Sequence, residues 1–338
     1  MENPHLHRRG FLGAALGAVL LGATACGNSS GSSATSSSSS ASTSGSTTSA
    51  PGDSGDVPSL ESLTSEAKSK FSQFTYKDSQ TGKSLPYNLY IPADYDKSKS
   101  YPLVLYIADS SLVGQDVTAP LSQYGALIWA SESEQAKHES FVLVPEFPEV
   151  ILDDHGSYTM TDYVEMTTRL LSSVTGKYSV DAKRIYGTGQ SMGCMTVMYL
   201  AAQHPGLFAA ELFVSGQWDI SKLGNLTKEK FIYTAAGGDE NASGGQTDVE
   251  KLLKNAGVSY QTATIDATWS TQKIEKAADK LLAADVTDYF VTFKKGTVLT
   301  AAGTSNSGDP MAGSEHMQSF QPAYQITAFR DWLFQQSA

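Results

Sequence analysis

The sequence predicts an α/β fold: a mostly parallel central sheet with helices on both faces and antiparallel strands at its N-terminal edge. Three observations carry this expectation. From Phe71 on, short apolar runs alternate with segments of helical period, the pattern of successive βα units. "YPLVLYIAD" (Tyr101 to Asp109) is apolar almost throughout, as expected of a strand buried on both faces. "FTYKD" and "LPYNLYIP" flank a turn at Thr81-Gly82 and read as a hairpin-like start.

The remaining elements follow in order. Ala119 to Lys137 reads as a helix and "SFVLVPEFP" as the next strand. Tyr158 to Val174 places Met160, Tyr163, Val164, Leu170 and Leu171 roughly on one helical face. "DAKRIYGT" (Asp181 to Thr188) is a short strand that runs directly into Gly189-Gln190-Ser191-Met192-Gly193. A helix from Met192 is stopped at His204 by Pro205-Gly206. Strands "FAAELFVSG" and "KFIYTAAGG" and a helix "TDVEKLLKNAG" come next. A helix from Ser270 to Ala284 separates "SYQTATID" from "YFVTFKK"; the latter is expected in the core, because it lies nearer the last histidine and the last helix. Phe320 to Phe334 closes the chain as one helix carrying Ile326, Phe329 and Trp332.

Before the first strand the composition changes character. Arg8-Arg9 precede an apolar run of about eleven residues, "FLGAALGAVLL", half of what a membrane-spanning helix needs. Residues 1–26 therefore read as an export signal, similar to twin-arginine signals, with a lipobox-like Ala23-Thr24-Ala25-Cys26 that makes Cys26 the expected lipidation site. Residues 27–58 are nearly all Ser, Thr, Ala and Gly up to Ala50 and cannot bury enough apolar surface to offset chain entropy, so a tether reaching roughly 30 Å is expected. The expected location is the outer face of the bacterial cytoplasmic membrane, with membrane contact through the lipid alone. Residues 59–338 are long enough for one sizeable α/β domain.

Charge and cysteine usage narrow the function. The chain holds 24 basic and 35 acidic side chains, a formal charge of −11, so nucleic acid and anionic lipid are poor partners. Past Cys26 there is one cysteine, Cys194, which leaves no intrachain disulfide and no thiolate metal site.

The sequence G-x-S-x-G occurs twice. Gly27-Asn28-Ser29-Ser30-Gly31 lies in the serine tract without a strand before it or a helix after it. Only Ser191 stands between a buried strand and a helix, where a tight turn would project its hydroxyl above the sheet. The Met192 amide that follows would face the developing oxyanion. A serine hydroxyl needs an imidazole beside it to attack. Of the four histidines beyond the leader, His138 falls at the far end of the sheet, His204 ends the helix after Ser191, and His155 belongs to a loop or cleft rim. His316 alone satisfies the chain order serine, acid, histidine. The expected acid is Asp239, which ends "FIYTAAGGD"; Asp219 is the next choice, ahead of Asp266 and Asp309. Gln190 and Trp218 are candidates for substrate contact; for Trp218, as for Trp269, the alternative is a packing role in the core or at the surface.

"YPLVLYI", "VPEFPE", "DAKRIYGTGQSMG", "HPGLFAAELFVSG" and "AFRDWLF" together resemble secreted bacterial α/β-hydrolases of the predicted peptidase and esterase group. These are relatives of the prolyl-oligopeptidase catalytic domain and of polyhydroxybutyrate-depolymerase-like esterases. The resemblance implies an α/β-hydrolase fold, supports Ser191, Asp239 and His316 at their matching positions, and implies no metal or organic cofactor. The substrate expected on this basis is a small-molecule or polymer ester. Two departures stand out. Ala108-Asp109-Ser110-Ser111 replaces the family's His-Gly-small-Gly, leaving the Ser110 amide as the candidate second oxyanion donor. Cys194 stands where the family has a second glycine, and reads as a small packing residue.

Overall fold

The computed structural model describes residues 57–305, 308, 310, 311 and 313–338. The signal, Cys26, most of the tether and Asp309 lie outside them.

Nine strands form one sheet: β1 (Ser72–Lys77), β2 (Ser84–Tyr90), β3 (Tyr101–Ile107), β4 (Phe141–Pro145), β7 (Val180–Gln190), β8 (Ala210–Val214), β9 (Phe231–Ala236), β10 (Tyr260–Ile265) and β11 (Asp288–Phe293). β5 (Leu152–Asp153) and β6 (Thr159–Met160) make a separate two-residue ribbon. The strand order is β1-β2-β4-β3-β7-β8-β9-β11-β10, antiparallel at β1–β2–β4 and parallel beyond. "YFVTFKK" lies inside the sheet, and "SYQTATID" is the edge strand beside it.

Because side chains alternate along a strand, each central strand feeds two cores. In β3, Val104 and Tyr106 face one side with α1 (Leu60–Ala67), α2 (Tyr124–Leu127), α3 (Glu132–Lys137), α7 (Thr271–Leu282), α10 (Phe320–Gln325) and α11 (Thr327–Phe334). Leu103, Leu105 and Ile107 face the other, with α4 (Tyr163–Lys177), α5 (Met192–Gln203) and α6 (Glu240–Ala256). Two short helices, α8 (Thr297–Ala301) and α9 (Glu315–Gln318), precede α10.

Four helical expectations need correction, each for a tertiary reason. The helix expected over Ala119 to Lys137 is broken into a 3-10 turn at Ala119–Ser122, α2, a second 3-10 turn at Ile128–Ala130, and α3. Tyr124 through Ala130 are all buried, so this segment has no solvent face to keep one straight helix amphipathic. The helix expected from Tyr158 starts at Tyr163, because Thr159 and Met160 pair with β5. The helix expected at Thr247 starts at Glu240 and runs through Gly244-Gly245. A Cβ on Gly245 would stand 2.4 Å from that of Gln217, so this glycine is a packing requirement and not a break. The closing helix breaks at Ile326, where Glu275 accepts from the Thr327 and Ala328 amides at 2.7 and 3.0 Å and starts α11.

At the N-terminal ends of the parallel strands three carboxyls are buried together. Glu211 and Asp288 flank Phe231 in register, and Glu229 lies two residues before it. Among the described residues neither oxygen of Glu211, nor Oε1 of Glu229, nor Oδ1 of Asp288 has a hydrogen-bond partner. Burial pushes Glu229 and Asp288 up to about 7, and pushes Glu211 well above the usual carboxylate range with help from the other two charges. The folded chain therefore holds protons that the unfolded chain has released, and stability falls as pH rises from about 4.5 through 7. Thermal melts of Glu211→Gln should match the parent near pH 5 and exceed it by a few degrees near pH 8. Parallel curves for the two proteins would contradict this.

Candidate functional site

The site lies at the C-terminal ends of the parallel strands, where open α/β sheets bind ligands. Ser191 sits between β7 and α5 with φ 51° and ψ −118°, in a region that non-glycine residues rarely occupy. Its strain is held by packing. α5 passes so close to β3 that a Cβ on Gly193 would stand 1.9 Å from the Ile107 carbonyl oxygen. One on Gly189 would meet the Gly193 backbone at 2.5 Å. The Ser191 amide donates to the Val214 carbonyl at 3.0 Å, tying the turn to β8.

His316, in α9, places Nε2 2.9 Å from Ser191 Oγ and Nδ1 2.6 Å from Asp239 Oδ2. With Nδ1 protonated, Nε2 is the acceptor for the serine hydroxyl. Asp239 is buried, and its other oxygen accepts the Ala242 amide at 3.2 Å as the N-cap of α6. The three residues named from the sequence thus meet in space. Ser110 lines the same cavity of about 340 Å³, and Met192 begins the helix beside it. Neither of their amides donates to the protein among the described residues.

Gln190 and Trp218 are placed elsewhere than expected. Gln190 is 4% exposed, and its side-chain amide donates to Asp109. Trp218 is buried with Tyr158 edge-on at 5.0 Å, and neither it nor Gln190 is among the residues lining the cavity around Ser191. Trp269 packs on the core with Lys273 Nζ 3.8 Å above its ring. His155 does line the cavity, as an exposed residue held by Asp153 at 2.7 Å. His138 and His204 pair with Asp331 and Glu165 at 2.8 and 2.9 Å, away from the serine. Asp219 caps a 3-10 turn, and Asp266 closes its own turn onto Thr268. Cys194 is buried against the Gly216 backbone, and burial pushes its thiol far above the ordinary range, which fits a packing role. The stretch from 259 to 314 supplies β10, α7, β11 and α8, and among the described residues Met311 and Ser314 are its contributions to the cavity wall.

Sequence reasoning missed the residues that hold the histidine. Glu315 accepts the Gly238 amide at 3.0 Å and the Gly296 amide at 2.9 Å, fastening the residue before His316 to the residue before Asp239. Ser319 Oγ donates to the His316 carbonyl at 2.7 Å and meets Ser215 Oγ at 2.6 Å. Glu315, beside the histidine, was within reach of a positional argument; the spacing from Ser215 to Ser319 carries no signal in the chain.

A mostly parallel sheet, a strained serine at the β7–α5 turn, and an acid and a histidine on later loops define the α/β-hydrolase fold. Within it the chain belongs to the Esterase family, whose model matches residues 79–323. It is similar to the crystal structure of a thermostable esterase, with TM-score 0.61 and 23% identity over 80% of this chain and 64% of that one. It is also similar to a solved structure of a protein called FAE, with TM-score 0.51 and 13% identity over 80% of this chain and 91% of that one. Over 152 residues it is 27% identical to dipeptidyl-peptidase 5 of Porphyromonas gingivalis, covering 42% of this chain and 21% of that protein. The chain thus spans about a fifth of that relative's length.

The crowding at the turn gives a paired prediction. Gly193→Ala should abolish soluble folded protein or lower the melting temperature sharply, since the obstacle is backbone. Gly176→Ala, exposed in α4 with nothing within 4 Å of the new methyl, should add about 0.5–1 kcal/mol. Circular-dichroism melts of the two variants decide it.

Proposed function

We propose that the protein is a serine hydrolase that cleaves a carboxylic ester through an acyl-enzyme on Ser191. The observation that carries this reading is the unbroken relay from Ser191 Oγ through His316 to Asp239, at 2.9 and 2.6 Å, on a strained turn at the sheet's C-terminal end. His316 Nε2 takes the hydroxyl proton as Ser191 Oγ bonds to the ester carbon. Asp239 fixes the imidazole tautomer and favours the imidazolium. The carbonyl oxygen gains negative charge opposite the Met192 and Ser110 amides. As the carbon–oxygen bond to the alcohol breaks, His316 returns the proton to the leaving oxygen. Water then attacks the acyl-enzyme by the same route, and no cofactor enters the scheme.

An ester is favoured over a peptide because alcohols leave more readily than amines and because the family whose model matches is an esterase family. The segment shared with dipeptidyl-peptidase 5 supports a peptidase as the second reading. The altered Ala108–Ser111 loop would also suit a catalytically weak binding protein, but Ser110 lining the same cavity as Ser191 favours catalysis. The reading includes export and lipid anchoring at Cys26, outside the described residues; Cys26→Ala should release the protein from membranes into the medium.

A fluorophosphonate probe should label the wild type and not Ser191→Ala, and that variant should lose about 10⁴-fold or more in turnover of p-nitrophenyl acetate. Absence of labelling in folded wild type would overturn the serine-hydrolase reading. Faster cleavage of aminoacyl p-nitroanilides than of short p-nitrophenyl esters would replace esterase by peptidase.

A further inference from the structure

The loop that brings the Ser110 amide to the cavity contains no glycine before Gly114 and is only a three-residue 3-10 turn, Ser110–Leu112. Such a turn has little stability of its own. What holds it is the residue before it. Asp109 is 3% exposed, and its Oδ1 accepts the Ser111 amide at 2.9 Å as the N-cap of the turn. Its Oδ2 accepts Gln190 Nε2 at 2.8 Å and also the side-chain amide of Gln123. Gln123 is oriented in turn by Tyr106, whose hydroxyl donates to Gln123 Oε1 at 2.7 Å. Gln190 is the residue directly before Ser191.

We propose that Asp109 and Gln190 are a positioning pair that clamps the oxyanion loop to the nucleophile turn. The inference rests on the serine-hydrolase reading above and assigns neither residue contact with substrate. One carboxylate joins three pieces of chain: its first oxygen shapes the turn that carries Ser110, and its second is shared by the last residue of β7 and by the start of α2. The distance between the Ser110 amide and Ser191 is therefore set by side-chain hydrogen bonds where a glycine-rich loop would set it by backbone shape. Burial makes the match strict. A carboxamide at position 109 would turn a donor toward either the Ser111 amide or the two glutamines, and rotating Gln123 to meet it takes the acceptor away from Tyr106.

Gln190→Met keeps the length of the side chain and removes its donor, while the cap on Ser111 stays intact. Four quantities are measured against wild type: kcat and KM for a p-nitrophenyl ester, inhibition by a trifluoromethyl ketone, the melting temperature, and hydrogen exchange of peptides spanning 109–115. The expected result is a fall in kcat of about 10–100-fold, somewhat less than loss of an oxyanion donor. KM should stay within about twofold, and affinity for the ketone should fall in step with kcat/KM, as a transition-state interaction requires. The loop should exchange faster while the melting temperature moves by only a few degrees. Gln190→Glu should be more damaging, since two carboxylates then face each other. Combining it with Asp109→Asn restores a donor–acceptor pair between positions 109 and 190 while Gln123 still faces a donor, so the double variant should recover about tenfold over Gln190→Glu and remain below wild type. Unchanged kcat and loop exchange in Gln190→Met, a loss confined to KM, or no recovery in the double variant would overturn the proposal. If wild type is not labelled by phosphonate, the hydrolase reading falls separately, and loop exchange in Gln190→Met still decides whether the clamp exists.

Discussion

The approach of α5 to β3 is the constraint on which the rest of the site depends. Gly193 lies where no side chain fits, hard against the Ile107 carbonyl, so the turn before it must be short and Ser191 must take a positive φ. A positive φ throws the hydroxyl out of the sheet. The same crowding has a second result. A Cβ on Gly193 would come within 2.9 Å of the Ala108 carbonyl as well, so the first residues after β3 lie alongside the first turn of α5. The loop that carries Ser110 is thereby held beside the helix that begins at Met192, and Ser110 lines the same cavity as Ser191.

The acid and the histidine are placed by another economy, in which single carboxylates hold two things each. Asp239 starts α6 with one oxygen and orients His316 with the other, so the acid cannot rotate without uncapping a helix of 17 residues. Glu315 binds the amides of Gly238 and Gly296, so the loop before α9 is tied to the ends of β9 and β11 together. Ser319, bonded to the His316 carbonyl and to Ser215, closes the far side. His316 comes from a short helix with little stability of its own, and these bonds take the place of a rigid element.

How much of this could be read from the chain follows from where each signal resides. "YPLVLYI" and the run into Ser191 announce themselves because burial on both faces leaves no polar position, and Gly189 and Gly193 are local. The order serine, aspartate, histidine is also local information, and the structure brings Ser191, Asp239 and His316 within hydrogen-bond reach. The segment from 119 to 137 misleads because its shape is imposed by neighbours: a Cβ on Gly125 would meet the rings of Tyr106 and Tyr324 at 2.5 Å. Gly244-Gly245 misleads in the opposite sense, since a glycine that looks like a helix breaker is there for contact with Gln217. Gln190 shows the limit most clearly. A polar side chain at position 190 points equally well outward to the cavity or inward to a partner, and the partner, Asp109, is 81 residues away.

The two ends of the sheet treat carboxylates in opposite ways, and the direction of the strands explains it. In parallel βα units each strand runs into a helix whose N-terminus, with its unsatisfied amides and positive dipole end, lies at the strand's C-terminal edge. There Asp109, Asp239 and Glu315 each find two or more N–H donors. The other edge receives helix C-termini and carbonyl groups and offers a carboxylate fewer donors, among them the Thr287 hydroxyl, which reaches Asp288 Oδ2 at 2.8 Å. Glu211, Glu229 and Asp288 sit at that edge with oxygens unpartnered among the described residues, and burial moves them toward the protonated form. An acid that must hold an imidazole can be kept cheaply only at the first edge. The edge that supplies donors for Asp239 is also the one where Ser191 and Ser110 line a common cavity, so the acid and the serine stand where backbone N–H groups are most plentiful.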